Sequence, residues 1–173
     1  AMAPIAQASK VPMVSPSSTN PKVTEVGDYI FRVCFIDPFQ GYVMAKYAHE
    51  ELKFKKVAIL TDKKSAYSEG LTEVFSRKFA EMGGKIAGIE AYAKGDTDFR
   101  AQLTNIKNTP GVQAVINCGF GQGPAIVTRN YRQVGLSVPL YQSHGVSSKS
   151  FINLAGPAAN GIRLPAAALL AAD

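Results

Sequence analysis

The chain has only two cysteines, Cys34 and Cys118, too few for a disulfide framework, and neither belongs to a C-x-x-C pair of the kind that holds a metal. Each lies in an apolar, strand-like run, which predicts two small buried hydrophobes and leaves one disulfide between them open. Long apolar runs are missing too: the Ala/Leu stretch from Pro165 to Ala172 falls well short of the roughly 18 residues that span a bilayer. No charged segment followed by an apolar one opens the chain, so location has to be read from elsewhere. Charged residues are 18% of the sequence and hydrophobic ones 46%, which excludes an extended disordered chain and points to a soluble globular domain.

Catalytic signatures are equally sparse. The sequence contains no G-x-S-x-G elbow, no H-E-x-x-H pair and no phosphate-binding loop. Its two histidines, His49 and His144, are far apart, and no nucleophile with an adjacent base is visible; a non-enzymatic protein with no catalytic residue, cofactor or metal is expected. His49 falls on the polar side of a helical pattern and is expected to be solvated. The segment Gly119 to Gly123 is not a dinucleotide fingerprint, because Pro124 stands where a further glycine is needed. Asp62 follows an apolar run as a phosphoacceptor would, but Lys63 and Lys64 come next instead of an acidic cluster. The net charge of +6 raises the question of nucleic acid. Yet Lys53, Lys55, Lys56, Lys63 and Lys64 flank the run Val57 to Leu60 without interleaved aromatics, which fits the solvated rim of a strand; no nucleic-acid partner is expected.

What is present is an alternation. At 173 residues the chain suits one compact unit, or one unit with a fragment. Short runs at Lys56 to Leu60, Lys85 to Ala91, Ala114 to Asn117 and Val138 to Tyr141 predict strands. Several are apolar on consecutive residues, as strands covered on both faces must be. Between them Leu71, Val74, Phe75, Phe79 and Met82 recur at helical spacing, and Gly83-Gly84 stops the helix. A second helix is marked by Phe99, Leu103 and Ile106, with Asp96, Thr97 and Asp98 able to cap it. A third runs from about Pro124 to Gly135, and an earlier one from Tyr42 to Leu52. The pattern predicts an α/β fold, a doubly wound, mainly parallel sheet flanked by helices. The ends differ: Val11 to Val14 is strand-like with no sheet partner in view, and Ile162 to Leu164 begins a strand that Pro165 stops.

Five blocks then become specific: VPMVSPSSTNP, YIFRVCFIDPFQG, KKVAILTDKKSAYSEGL, GDTDFRAQLTNIK and RQVGLSVPLY. In this order they closely resemble the branched-chain amino-acid-type periplasmic solute-binding proteins of ABC transporters. That family is a two-lobed clamshell, of the type I periplasmic-binding fold, that closes over a small ligand. The resemblance implies a remnant of the first lobe with a hinge crossing in residues 1–36, the second, ligand-binding lobe in 37–164, and a truncated return hinge in 165–173. It also implies an extracytoplasmic, periplasmic setting and two partners, a small-molecule carboxylate and a membrane permease. A ligand-sensing domain of a membrane receptor with the same fold is the alternative. An amino-terminal strand cut from its neighbours further suggests a homodimer formed by segment exchange.

The same resemblance names site residues. Ser17 and Thr19 match the turn that offers hydroxyls and amides to a ligand carboxylate, with Ser15 nearby, and charge-assisted bonds suit that role. Tyr67 matches an aromatic that covers the ligand, and Phe120 a second aromatic wall. His144 matches a position that is usually acidic in the amino-acid binders, where it pairs with the ligand's ammonium. A neutral imidazole cannot neutralise an ammonium and a protonated one repels it. The expected ligand is therefore an amino acid or, better suited to His144, an aromatic or aliphatic acid without the amino group. Independently of any family, a doubly wound sheet places its crevice beyond the carboxyl ends of its strands.

Overall fold

A computed structural model describes residues 2–93 and 95–166. A short helix, α1 (Ala3–Ala8), precedes strand β1 (Met13–Ser15), which pairs in parallel with β2 (Ile30–Arg32). The apolar run near the amino terminus thus has a sheet partner within its own chain, and its order requires no second copy. Next come α2 (Asp37–Lys46), which continues into a π-helical turn at Tyr47–Glu51, β3 (Lys56–Asp62), α3 (Ala66–Glu81) and β4 (Lys85–Tyr92). The remainder is α4 (Arg100–Lys107), β5 (Ala114–Asn117), α5 (Gly123–Gln133), β6 (Leu140–Gln142) and α6 (Lys149–Ala155).

The main sheet is parallel throughout, in the order β4-β3-β5-β6. Because successive side chains of a strand point to opposite faces, the consecutive apolar residues of β3 serve two cores. Val57 and Ile59 pack with Met44 of α2 and Leu71, Phe75 and Phe79 of α3 on one face. Ala58 and Leu60 pack with Leu103 and Ile106 of α4 and Val127 and Tyr131 of α5 on the other. Chain direction reverses about β3, since β4 lies on one side of it and β5 on the other. The loops that leave β3 and β5 therefore part to opposite faces, opening a crevice at their carboxyl ends.

Several details differ from the expectations. The helix placed at Tyr42 starts five residues earlier, at Asp37, where Pro38 fits the first turn. A Cβ at Gly41 would lie 2.6 Å from Val74 Cγ1, so this glycine lets α2 sit close on α3. Helix α4 begins at Arg100 with no side-chain cap from its flanking Phe99; Asp98 instead accepts from the Arg100 amide. His49 is half-buried and meets the Phe79 ring edge to face at 5.8 Å, with Lys55 Nζ 3.0 Å from its Nε2, so it is not simply solvated. Cys118 is buried as expected, whereas Cys34 is half-exposed just past β2, and both are free thiols. Ile162 to Leu164 forms no full strand: a single bridge joins Arg163 to Tyr141, and the Gln142 amide donates to the Arg163 carbonyl at 2.8 Å. Most of the 165–173 segment lies outside the described residues.

Candidate functional site

Three of the six expected site residues stand at successive strand ends of the main sheet. Tyr67 lies in the first turn of α3, whose amino terminus is capped by Ser65 through the Ser68 amide. Phe120 follows β5 and His144 follows β6. Tyr67 and Phe120 meet at 5.8 Å between centroids with their planes 63° apart. Phe120 is 65% exposed, which leaves its ring available as the wall of a cleft.

The tyrosine is held from several sides. Its hydroxyl lies 3.0 Å from Gln40 Nε2, which donates to it, and Ser143 and Gly145 of the β6 loop lie near it. Burial pushes the phenol above its ordinary range, and those three partners offset part of that rise, so it stays a neutral hydrogen-bonding group. Ser143 in turn donates to the Gly119 carbonyl at 2.5 Å, joining the β5 and β6 loops. A side chain at Gly145 would come within 2.8 Å of the Phe120 ring, so the close approach of these loops requires glycine there. His144 is half-buried and meets Phe35 edge to face, 5.2 Å away at 86°.

The β1 turn forms the other group. Arg32 organises it: its guanidinium donates to the carbonyls of Ser18, Asn20 and Pro21 and to the Thr24 hydroxyl, at 2.7 to 2.9 Å. Ser15 is buried with its Oγ accepting from the Ser18 amide, so its hydroxyl serves the turn itself, whereas Ser17 is exposed. Thr19 is buried, and its carbonyl accepts from the Asp37 amide at 2.9 Å. Residues 34–36 connect the two groups, since Cys34 Sγ reaches the Ser18 carbonyl while Phe35 meets His144. Tyr67 and Phe120 are thus in direct contact, and His144 joins them through its neighbours Ser143 and Gly145. Ser15, Ser17 and Thr19 form a separate cluster across the 34–36 segment.

Sequence reasoning missed Gln40, Phe35 and Ser143. Gln40 is buried in the first turns of α2, 27 residues from its partner, and no local pattern announces that pairing. Phe35 and Ser143 flank residues that were singled out, and proximity to them was the only available signal. Asp37 was missed as well. It is 2% exposed, and neither carboxyl oxygen completes a hydrogen bond, although the Thr19 hydroxyl is near. Burial raises its pKa, with Thr19 and the Arg32 charge opposing the rise. The unfolded chain then loses this proton at lower pH than the folded one, so the contribution to stability is full in acid and fades as pH rises through the folded value. Asp37→Asn removes that dependence. The difference in Tm, variant minus parent, is expected to be larger at pH 7 than at pH 4; equal differences would show that burial does not act on this carboxyl.

Beside the aromatic pair a crevice of about 530 Å³ opens between the ends of β3, β4 and β5, lined by Asp62, Tyr92, Phe99 and Phe120. Gly119 sits at its edge, where a side chain would collide with the Tyr92 hydroxyl and Pro124. The buried Cys118 thiol is pushed up to about 12 and stays protonated, which makes it a packing group and a poor nucleophile. Among the described residues no cluster of three acidic, histidine or cysteine side chains could hold a metal.

The family described as periplasmic binding protein matches residues 1–173. A leucine-, isoleucine-, valine-, threonine- and alanine-binding protein of Pseudomonas aeruginosa is 33% identical over 151 residues, 87% of this chain and 40% of that protein. Among solved structures, the leucine-binding protein LivK of Thermotoga maritima is 39% identical with a TM-score of 0.87, over 94% of this chain and 46% of that one. The branched-chain amino acid transporter substrate-binding protein LivJ of Streptococcus pneumoniae, solved with isoleucine, is 31% identical with a TM-score of 0.85, over 92% and 45%. The chain spans less than half the length of these relatives.

Proposed function

This chain belongs to the periplasmic binding protein family, and from that premise we propose that it is the ligand-binding half of an extracytoplasmic solute-binding protein, one that binds a small carboxylate lacking an α-amino group. In this reading residues 37–164 form one lobe, residues 1–36 carry a strand of the other lobe with a hinge crossing, and the ligand lies between them. The turn at Ser17 and Thr19 receives the carboxylate, while Tyr67 and Phe120 close over the apolar part. Ligand contacts to both lobes favour the closed form by their differential affinity for it, and that form is delivered to an ABC permease.

The observation that carries the ligand class is His144. It stands at the end of β6 beside the Tyr67–Phe120 pair, and residues 140–150 contain no carboxylate to neutralise an ammonium. The related protein solved with isoleucine is the reason to include amino acids in the test. A thermal-shift comparison of leucine with 4-methylpentanoate, which lacks only the amino group, and with benzoate decides between them. Stabilisation of the two-lobed protein by the plain acids is expected. Stabilisation by leucine alone would mean that another group meets the ammonium, and would overturn the assignment of His144.

A further inference from the structure

The loop that carries Phe120 runs from the end of β5 to the start of α5 and has glycine at 119, 121 and 123, with Gly121 at a φ of +77°. Glycine leaves the backbone many conformations, so such a loop does not hold a side chain in place by itself. Phe120 adds little anchorage of its own, being largely exposed. What holds the loop is a buried side chain of the neighbouring strand. Gln142, the last residue of β6, accepts from Asn117 Nδ2 at 2.8 Å, where the loop begins. Its Nε2 donates to the Thr128 hydroxyl at 2.9 Å, and that hydroxyl donates to the Pro124 carbonyl at 2.7 Å, where the loop ends. One amide thus ties down both ends of the segment. Ser143 completes the grip, its amide donating to the Asn117 carbonyl at 3.0 Å and its hydroxyl to the Gly119 carbonyl at 2.5 Å.

Asn117, Thr128 and Gln142 have no exposed surface. On the same strands, two residues earlier, Val115 and Leu140 belong to the apolar core, so the core gives way to a polar layer at the end of the sheet that faces the ligand. Such a layer is a weak source of stability. Asn117 Oδ1 accepts no hydrogen bond among the described residues, and a buried network left partly unsatisfied stabilises less than an apolar one. Its directional bonds instead fix distances and angles. We propose that Gln142 is a positioning residue of the ligand site, one that holds Phe120 where it meets Tyr67 by pinning both ends of its loop. The inference rests on the reading of Phe120 as a wall for the ligand. Gln142 lies beneath the loop and acts through Phe120.

Ring-to-ring NOEs between Tyr67 and Phe120 in the ligand-free 173-residue chain give the first test. Gln142→Met, which keeps the length of the side chain and removes both bonds, is expected to weaken or abolish them while the methyl shifts of Val57 and Ile59 in the opposite core stay unchanged. Thr128→Val, which keeps the shape and loses the hydroxyl, should weaken them less, and Thr128→Ser, which keeps the hydroxyl, should match the parent. Unchanged NOEs in Gln142→Met, or equal losses in the Val and Ser variants, would overturn the proposal. Should Gln142→Met fail to fold, Thr128→Val carries both tests. The second is calorimetry on the two-lobed protein with 4-methylpentanoate, or with leucine where leucine alone binds. Gln142→Met is expected to lower affinity about tenfold, and less than about twofold in a Phe120→Ala background, because two residues that act as one unit are not additive. Equal losses in both backgrounds would overturn the proposal, since Gln142 would then reach the site by another route. Phe120→Ala alone separates the two claims. If it leaves affinity unchanged, Phe120 is no wall and the underlying reading falls; if it lowers affinity and Gln142→Met does not, only the role of Gln142 falls.

Discussion

Replacing Tyr67 with alanine is expected to weaken ligand binding by the two-lobed protein about 30-fold or more, the loss of roughly 2 kcal/mol that marks an interfacial hot spot. Three features put this residue ahead of its neighbours. The ring is packed against Phe120 rather than free, so little conformational freedom remains to be lost on binding. Its hydroxyl accepts from Gln40 at 3.0 Å, with Ser143 and Gly145 close by, which fixes the ring beside Phe120 before any ligand arrives. It also stands at the reversal point of the sheet, where a doubly wound fold presents ligand-facing groups. Tyr67→Phe separates the contributions: the ring stays and one hydrogen-bonded hydroxyl goes, so the expected loss is only about 2- to 12-fold, from about 0.5–1.5 kcal/mol for a net hydrogen bond. Calorimetry on the three proteins with the carboxylate found in the thermal-shift comparison gives the answer. If Tyr67→Ala lowers stability and leaves affinity intact, the ring is a packing group at a helix entrance and the assignment fails.

The parts of this fold that periodicity revealed are those whose environment repeats along the chain. Val57 to Leu60 is apolar at every position because both faces of β3 are covered, and Leu71, Val74, Phe75 and Phe79 recur because α3 packs one stripe on one face. The start of α2 was harder, since Gly41 inside a helix weakens the local signal while serving a tertiary contact with Val74 that no local rule contains. The β1–β2 pairing was invisible for a similar reason. Each strand is three residues long, and the loop between them is held by Arg32 reaching four acceptors, a device that appears in the sequence as one ordinary arginine. The candidate site divides the same way. Tyr67, Phe120 and His144 could be placed at strand ends because strand ends could be placed, but Gln40, Phe35 and Asp37 enter through contacts between elements distant in sequence.

Phe75→Ala is expected to cost about 3–5 kcal/mol of folding stability, the range for removing a fully buried aromatic and leaving a cavity behind. Against about 5–15 kcal/mol for a typical domain this is a large share of the total. Phe75 has no exposed surface and stacks on Phe79 with centroids 5.4 Å apart and planes 14° from parallel. Its backbone amide lies 3.1 Å from where a Cβ on Gly41 would stand, so α2 rides directly over it and the void cannot close without moving that helix. Phe99→Ala removes a ring of the same size from the opposite core, where it meets Tyr92 edge to face at 4.9 Å, and should cost a similar amount. The two differ in consequence. Gln40 on α2 and Tyr67 on α3 are bonded across the interface that Phe75 supports, so in the native fraction Phe75→Ala should also weaken ligand binding, whereas Phe99→Ala should weaken it less. Guanidinium denaturation with an unchanged m-value measures the first effect and calorimetry well below the midpoint the second. Equal affinities in the two variants would show that the Tyr67–Gln40 geometry does not depend on the α2–α3 packing, and would place the control of the site in the β5 and β6 loops instead.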